Sequence, residues 1–184
     1  MPDRVAEAFA ALPRAGFLRR ADRQRSSYDG PLEIGDGQTN SQPRTVATML
    51  RLLDVSPGQR ILDVGSGSGW TTALLAHLTG PSGVVVGVEL EPDLVSFGSA
   101  NLARTAQPWA SIRPATPDVL GVPDGAPWDR ILVSAAPRSL PSSLVSQLAD
   151  PGVLVIPVAS TMLRVTNPGT VVTEHGSYRF VPLR

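Results

Sequence analysis

The run Ile61-Leu62-Asp63-Val64-Gly65-Ser66-Gly67-Ser68-Gly69-Trp70 constrains this chain more than any other stretch. Ile61 to Val64 reads as a buried strand. Three glycines at alternate positions break it, and Thr71 to Leu78 continues as a helix. Glycine lacks a Cβ, so it permits positive φ and close approach of a ligand to the backbone. The start of the following helix offers unpaired N–H groups and the positive end of its dipole. Glu89 follows 20 positions after Gly69, closing a second apolar run, Val84 to Val88. Strand, glycine turn, helix and acid-ended second strand together predict a nucleotide-cofactor site.

The glycine spacing narrows the cofactor. The dinucleotide fingerprint, G-x-G-x-x-G, seats a pyrophosphate on the helix end. Here the third glycine comes one residue early, and Trp70 stands where that fingerprint needs glycine. The pattern G-x-G-x-G, with an acid two positions before the first glycine, resembles motif I of class I S-adenosyl-L-methionine (SAM) methyltransferases. That resemblance implies a cofactor with an amino-acid tail and no phosphate. It places Asp63 near the cofactor's ammonium group and makes Glu89 the acceptor for the two ribose hydroxyls. A carboxylate suits the second role because it accepts two O–H donors at once. Gly65, Ser66, Gly67, Gly69, Leu90 and Asp118 complete the cofactor contacts so implied.

Composition limits the alternatives. The 184 residues suit one domain with a sizeable core. The formal net charge is zero, which gives no bulk electrostatic case for nucleic acid or an anionic membrane. The absence of cysteine removes disulfides, thiolate metal sites and a cysteine nucleophile. His77 and His175 stand in unrelated contexts, so no metal is expected. No run of 18 apolar residues and no signal-peptide core is visible, and a cytoplasmic monomer is the default expectation.

Along the chain, Val5, Ala8, Phe9 and Leu12 have the spacing of an amphipathic helix, which Pro13 ends. Leu18 to Asp36 reads as a long irregular segment, and Ser41 as the N-cap of a helix through Asp54. Strands at 61–64, 84–88, 111–113, 130–134 and 153–158 then alternate with helices at 71–78, 92–102 and 141–148. Short strands at 162–165, 171–173 and 179–181 close the chain. Uniformly apolar strands between helices predict an α/β fold with a doubly wound, mostly parallel sheet. The tail predicts an antiparallel C-terminal edge. In such sheets the ligand lies beyond the carboxyl ends of the strands, so Gly65, Glu89 and the residues after Val133 should line one crevice.

The stretch Gly35-Asp36-Gly37-Gln38-Thr39-Asn40-Ser41-Gln42-Pro43 resembles the segment ahead of motif I in protein-L-isoaspartate O-methyltransferases. Ala8-Phe9 with Pro13-Arg14, Tyr28-Asp29, Ala126 to Ile131, Gln147-Leu148, Pro151-Gly152, Pro157-Val158 and Arg179 to Leu183 extend the likeness nearly end to end. The resemblance implies a Rossmann-like class I methyltransferase fold. Residues 1–55 would hold the N-terminal helices and substrate loop, 56–160 the SAM-binding core and 161–184 the C-terminal strands. It also implies methyl transfer from SAM to the free carboxylate of L-isoaspartyl residues in damaged peptides or proteins. Such a nucleophile is already ionised near neutral pH and needs no general base. Positioning and desolvation remain, and Ser41 is the residue expected to hold the carboxylate. Gln38, Thr39 and Asn40 are expected to shape the substrate side, with Phe180 and Val181 bordering the peptide cleft.

Some positions depart from the family pattern. Asn40 replaces an aliphatic residue. Arg44 replaces an aromatic or histidine, giving a cation that attracts an acidic substrate or simply faces solvent. Thr116-Pro117-Asp118 stands in place of Gly-Asp-Gly, so Asp118 is displaced by one from the family's aspartate. These changes leave two alternatives open: methylation of an aspartate in one dedicated peptide, or a SAM-binding module without turnover.

Overall fold

The computed structural model of the chain describes residues 3–166 and 171–184. The turn expected between the strands at 162–165 and 171–173 therefore lies largely outside the described residues. Helix α1, Arg4–Ala11, begins where the Asp3 carboxylate accepts the Val5 and Ala6 amides. Two short 3-10 turns, Arg14–Phe17 and Arg20–Arg25, lead to a hairpin of β1, Leu32–Gly35, and β2, Gln38–Asn40. The hairpin corrects the irregular reading of this region. Its signal was Asp36-Gly37, both at positive φ, the pairing that a two-residue hairpin loop favours. Leu32 and Ile34 face inward and Glu33 and Gly35 outward, as strand alternation requires.

Helix α2, Pro43–Leu53, is capped differently from the sequence expectation. Gln42 is its N-cap residue and makes no side-chain cap bond. The Arg44 amide instead donates to Asp29 Oδ1 at 3.1 Å, and Gln42 Nε2 donates to Asp29 Oδ2 at 3.1 Å. These donors, the Arg44 amide foremost, hold the Asp29 carboxyl below its ordinary value. Ser41 thus lies before the helix with its hydroxyl not committed to the cap.

The regular alternation then follows: β3 Arg60–Val64, α3 Trp70–Thr79, β4 Val84–Glu89, α4 Pro92–Ala103, β5 Ala110–Pro114, β6 Trp128–Val133, α5 Ser142–Val145, β7 Leu148–Val158, β8 Thr161–Thr166 and β9 Val171–Ser177. The sheet order is β5-β4-β3-β6-β7-β8-β9. Strands β3 to β7 pair in parallel, whereas β8 and β9 add as an antiparallel edge. The chain winds outward through β4 and β5, then returns to β6 on the other side of β3. That reversal opens a crevice at the carboxyl ends of β3, β4 and β6. Ile61, Val85, Leu132 and Val155 pack with α1, α2 and α3 on one face. Leu62, Val64, Ile131 and Leu154 pack with Leu144, Leu148 and Trp128 on the other.

Two sequence expectations fail near the C-terminus. The helix expected at 141–148 is one turn, Ser142–Val145. The Gln147 carbonyl instead accepts the Trp128 amide, and its side chain clasps the loop ahead of β6. Gln147 Nε2 donates to Leu120 O, and Gln147 Oε1 accepts the Val122 amide, each at 2.8 Å. The strand expected at 179–181 is absent. Pro182, which has no N–H, meets Ala136 in an isolated parallel bridge. Val181 O and the Leu183 amide hold Ala136 from either side of that proline.

Candidate active site

A cleft of about 1250 Å³ opens at the carboxyl ends of β3, β4 and β6. Its wall brings together three parts of the chain: the hairpin end Gln38 to Gln42, the glycine loop with Glu89 and Leu90, and the C-terminal segment from Ser177. Thr116, Pro117, Asp118 and Val119 close one side, and Ser134 and Ala135 form part of the floor. Of the residues expected at the site, Ser41, Gly65, Ser66, Gly67, Glu89, Leu90, Asp118, Gln38, Thr39, Asn40, Phe180 and Val181 all line this cleft.

The glycine loop is shaped by its neighbours. Gly65 and Gly67 have φ of 81° and 50°, a region that side-chain-bearing residues rarely adopt. Gly69 departs from expectation: it is not part of the cleft wall. A Cβ there would stand 2.8 Å from the Gly98 carbonyl oxygen on α4, so this glycine serves close packing of loop and helix. Glu89 locks the same loop. Its Oε2 accepts the Gly67 amide at 2.8 Å, and its Oε1 accepts the Leu90 and Glu91 amides at 2.7 and 3.1 Å. A carboxylate oxygen has two acceptor positions, so Oε2 keeps one for a ligand hydroxyl.

Asp63 is the second departure. It is fully buried behind the loop and forms no part of the cleft wall. Its Oδ2 accepts the hydroxyls of Thr71 and Thr72 at 2.8 and 2.7 Å, and Thr71 itself lines the cleft. Among the described residues Asp63 Oδ1 has no partner. Burial pushes the Asp63 carboxyl up to about 6, against the pull of both threonines, and Glu89 adds to the rise. A carboxyl raised above its unfolded value holds its proton more readily in the folded protein. The stability of the ligand-free protein should therefore increase as pH falls through about 6 and level off near the unfolded value, about 4. Thermal unfolding at about pH 5 and about pH 7 checks this. The wild type should gain at the lower pH relative to Asp63→Asn, and parallel profiles would remove Asp63 as the cause.

The substrate-side loop is anchored from within the molecule. Arg14, 5% exposed, lies below Asn40 and Ser41. Its Nε donates to Asn40 Oδ1 at 2.6 Å, Nη1 to Tyr28 O at 2.8 Å and Nη2 to Gly30 O at 2.8 Å. The same Nη2 reaches the carbonyls of Asn40 and Ser41, both at 3.0 Å. Asn40 Nδ2 donates to Ser68 Oγ at 2.9 Å, joining the hairpin to the glycine loop. Sequence reasoning identified Asn40 as a departure but missed this role, and it named Arg14 only within the opening-helix likeness, with no anchoring role. A buried arginine is visible as a buried charge only once its acceptors are in place.

Asp118 takes a left-handed backbone, φ 60°, where the family pattern has its second glycine. Aspartate is among the few residues that tolerate that conformation. Leu90 and Val119, respectively 42% and 40% exposed, are apolar surfaces at the cleft. Val119 was not anticipated from the sequence.

The donor set suits an S-adenosyl group. One free acceptor position on Glu89 faces the cleft, two apolar side chains offer a surface for a flat base, and the glycine backbone permits close approach. The unpartnered Asp63 Oδ1 lies behind the loop as a buried acceptor that a cationic ligand group would favour. Among the described residues no helix is long and apolar enough to cross a membrane.

Comparison with known proteins gives the same reading. The family model for protein-L-isoaspartate(D-aspartate) O-methyltransferase matches residues 1–184. The protein-L-isoaspartate O-methyltransferase of Methanopyrus kandleri is 40% identical over 98% of this chain and 83% of its own length. That of Methanocella arvoryzae is 41% identical over 94% of each chain. A Plasmodium falciparum structure, named as a protein-L-isoaspartate O-methyltransferase in complex with S-adenosyl-L-homocysteine, superposes with a TM-score of 0.86 at 28% identity. That superposition covers 100% of this chain and 91% of the other.

Proposed function

Because this chain belongs to the protein-L-isoaspartate(D-aspartate) O-methyltransferase family, we propose the following roles for its cleft residues in methyl transfer to an isoaspartyl carboxylate. The protein is a SAM-dependent protein-L-isoaspartate O-methyltransferase. When bound, SAM supplies an electrophilic methyl group on a sulfonium. In this reading Glu89 Oε2 accepts one ribose hydroxyl, at the one position its three amide donors leave free, and Leu90 and Val119 flank the base. Asp63 acts on the cofactor's ammonium end from behind the loop, through Thr71. Asp118 borders the same end of the cleft.

The observation that carries the assignment of roles is that one cleft holds Ser41, the Glu89-locked glycine loop and the C-terminal segment. The Ser41 hydroxyl donates to the substrate carboxylate and orients it toward the methyl. One neutral donor orients an anion without neutralising it. Charge is lost as the ester forms, so a drier cleft lowers the barrier relative to water. Gln38, Thr39 and Asn40 form the near wall, and Phe180 and Val181 border the peptide. In the same reading 1–55, 56–160 and 161–184 work as one unit, and the enzyme acts as a monomer without nucleic acid or membrane.

The test is methyl transfer from radiolabelled SAM to a peptide pair differing only in L-isoaspartate against L-aspartate. A base-labile methyl ester, read as labelled methanol released by base, is expected on the isoaspartyl peptide alone. Label on the aspartyl peptide alone would shift the reading to a normal aspartate as acceptor. Ser41→Ala should keep SAM affinity and lower kcat about 20-fold, the worth of one charge-assisted hydrogen bond. Unchanged turnover would remove Ser41 from the mechanism.

A further inference from the structure

We propose that Arg138 and Arg179 select isoaspartyl sites flanked by acidic residues. This rests on the isoaspartyl reading above and names the class of sequence that the site prefers. Four arginines line the cleft, Arg44, Arg138, Arg179 and Arg184, against two carboxylates, Glu89 and Asp118. The chain as a whole has zero formal charge, so this excess of cations is local to the cleft.

Two of the four arginines are engaged. Arg44 Nε lies 3.3 Å from Asp29 Oδ2, and Arg184 Nη2 lies 2.5 Å from Glu91 Oε1. Arg138 and Arg179 are exposed and form no ion pair among the described residues. Of the two acids, Glu89 is already held by three backbone amides at the glycine loop. It neutralises neither arginine.

The backbone holds the two segments that carry these cations together. Ala136 donates to Val181 O at 2.8 Å, and Leu183 donates back to Ala136 O at 3.1 Å. Arg138 follows the first segment by two residues, and Arg179 opens the second. Both flank the stretch assigned to the peptide, Phe180 and Val181. A guanidinium pairs with a carboxylate through two parallel N–H bonds, a geometry that glutamate and aspartate flanks supply. Exposed pairs are weak singly and are screened by salt. Their effect belongs in substrate capture rather than in the chemical step.

The experiment uses the full chain, SAM and three peptides with one central L-isoaspartate, flanked by glutamate, serine or lysine. At low ionic strength KM should rise from glutamate to serine to lysine, spanning about tenfold, with kcat similar throughout. In about 0.5 M salt the span should collapse. Arg138→Ala should narrow it while leaving the serine-flanked peptide's kcat at the wild-type value, which also confirms the variant is folded. Arg138→Glu, which sets an anion against Arg179, should nearly abolish the span, and reversing both arginines to glutamate should invert the order of glutamate and lysine. Equal KM values across the wild-type panel, or an unaltered span in Arg138→Glu, would overturn the proposal. No ester on any peptide would instead overturn the isoaspartyl reading on which it stands.

Discussion

Arg14→Leu should lower folding stability by about 4 kcal/mol, the range for breaking a buried charged hydrogen-bond network. The guanidinium holds five acceptors, contributed by Tyr28, Gly30, Asn40 and Ser41. It also lies 5.8 Å from the centre of the Trp70 ring. Burial lowers the pKa of Arg14 from its usual value, but an arginine starts so high that it stays charged. Leucine would fill part of the volume and leave every one of those acceptors without its donor. The buried ones, on Gly30 and Asn40, cannot turn to water, so each costs energy rather than merely losing a bond. Chemical denaturation of the ligand-free protein measures this directly. A loss below about 1 kcal/mol would mean that the loop from Tyr28 to Ser41 is held by other contacts. Asn40→Leu should show a smaller loss, because it removes only the contacts with Arg14 Nε and Ser68 Oγ.

Glu89→Ala should weaken SAM binding about 100-fold, a loss of roughly 2.7 kcal/mol. Two effects combine. A ribose hydroxyl loses its acceptor, and the amides of Gly67, Leu90 and Glu91 lose theirs. The second effect loosens the glycine loop even before a ligand arrives. Glu89→Gln separates them, because the amide nitrogen can donate to a hydroxyl but cannot accept a backbone N–H. Calorimetric titration with S-adenosyl-L-homocysteine would give the affinities. Unaltered affinity in Glu89→Ala would count against the ribose assignment, whereas a similar loss in both variants would place the effect in the loop.

The parallel core was legible because its physics is local. Apolar runs such as Ile61 to Val64 and Val84 to Val88, each followed by a helix, leave little choice of architecture. The boundaries from β3 to β6 agree to within about two residues, whereas β7 starts at Leu148, five residues ahead of the expected 153. The errors lie where side chains from elsewhere decide. Asp29 provides the acceptor at the start of α2 that Ser41 was expected to provide. Gln147 is drawn into the loop before β6, which ends the expected helix after one turn. Pro182 makes this segment's one bridge, to Ala136, and Arg179 to Val181 form no ladder. The site shows the same division. Gly65, Gly67 and Glu89 follow from a local motif, but the burial of Asp63 and the packing role of Gly69 depend on helices α3 and α4. No spacing rule reports how deep a carboxylate lies.

The close approach of Gly69 to Gly98 bears on the heat and speed of ligand capture. A Cβ on Gly98 would stand 2.6 Å from the Gly67 carbonyl, so the loop and α4 touch backbone to backbone. With Glu89 gripping the Gly67 amide from the other side, the loop is rigid before any ligand enters. A preformed cradle pays little ordering entropy on association. The heat-capacity change on binding should then match the burial of the ligand's own apolar surface, with no excess from folding of the loop. Association should also run as one concentration-dependent phase, without a slow step that waits for the loop to order.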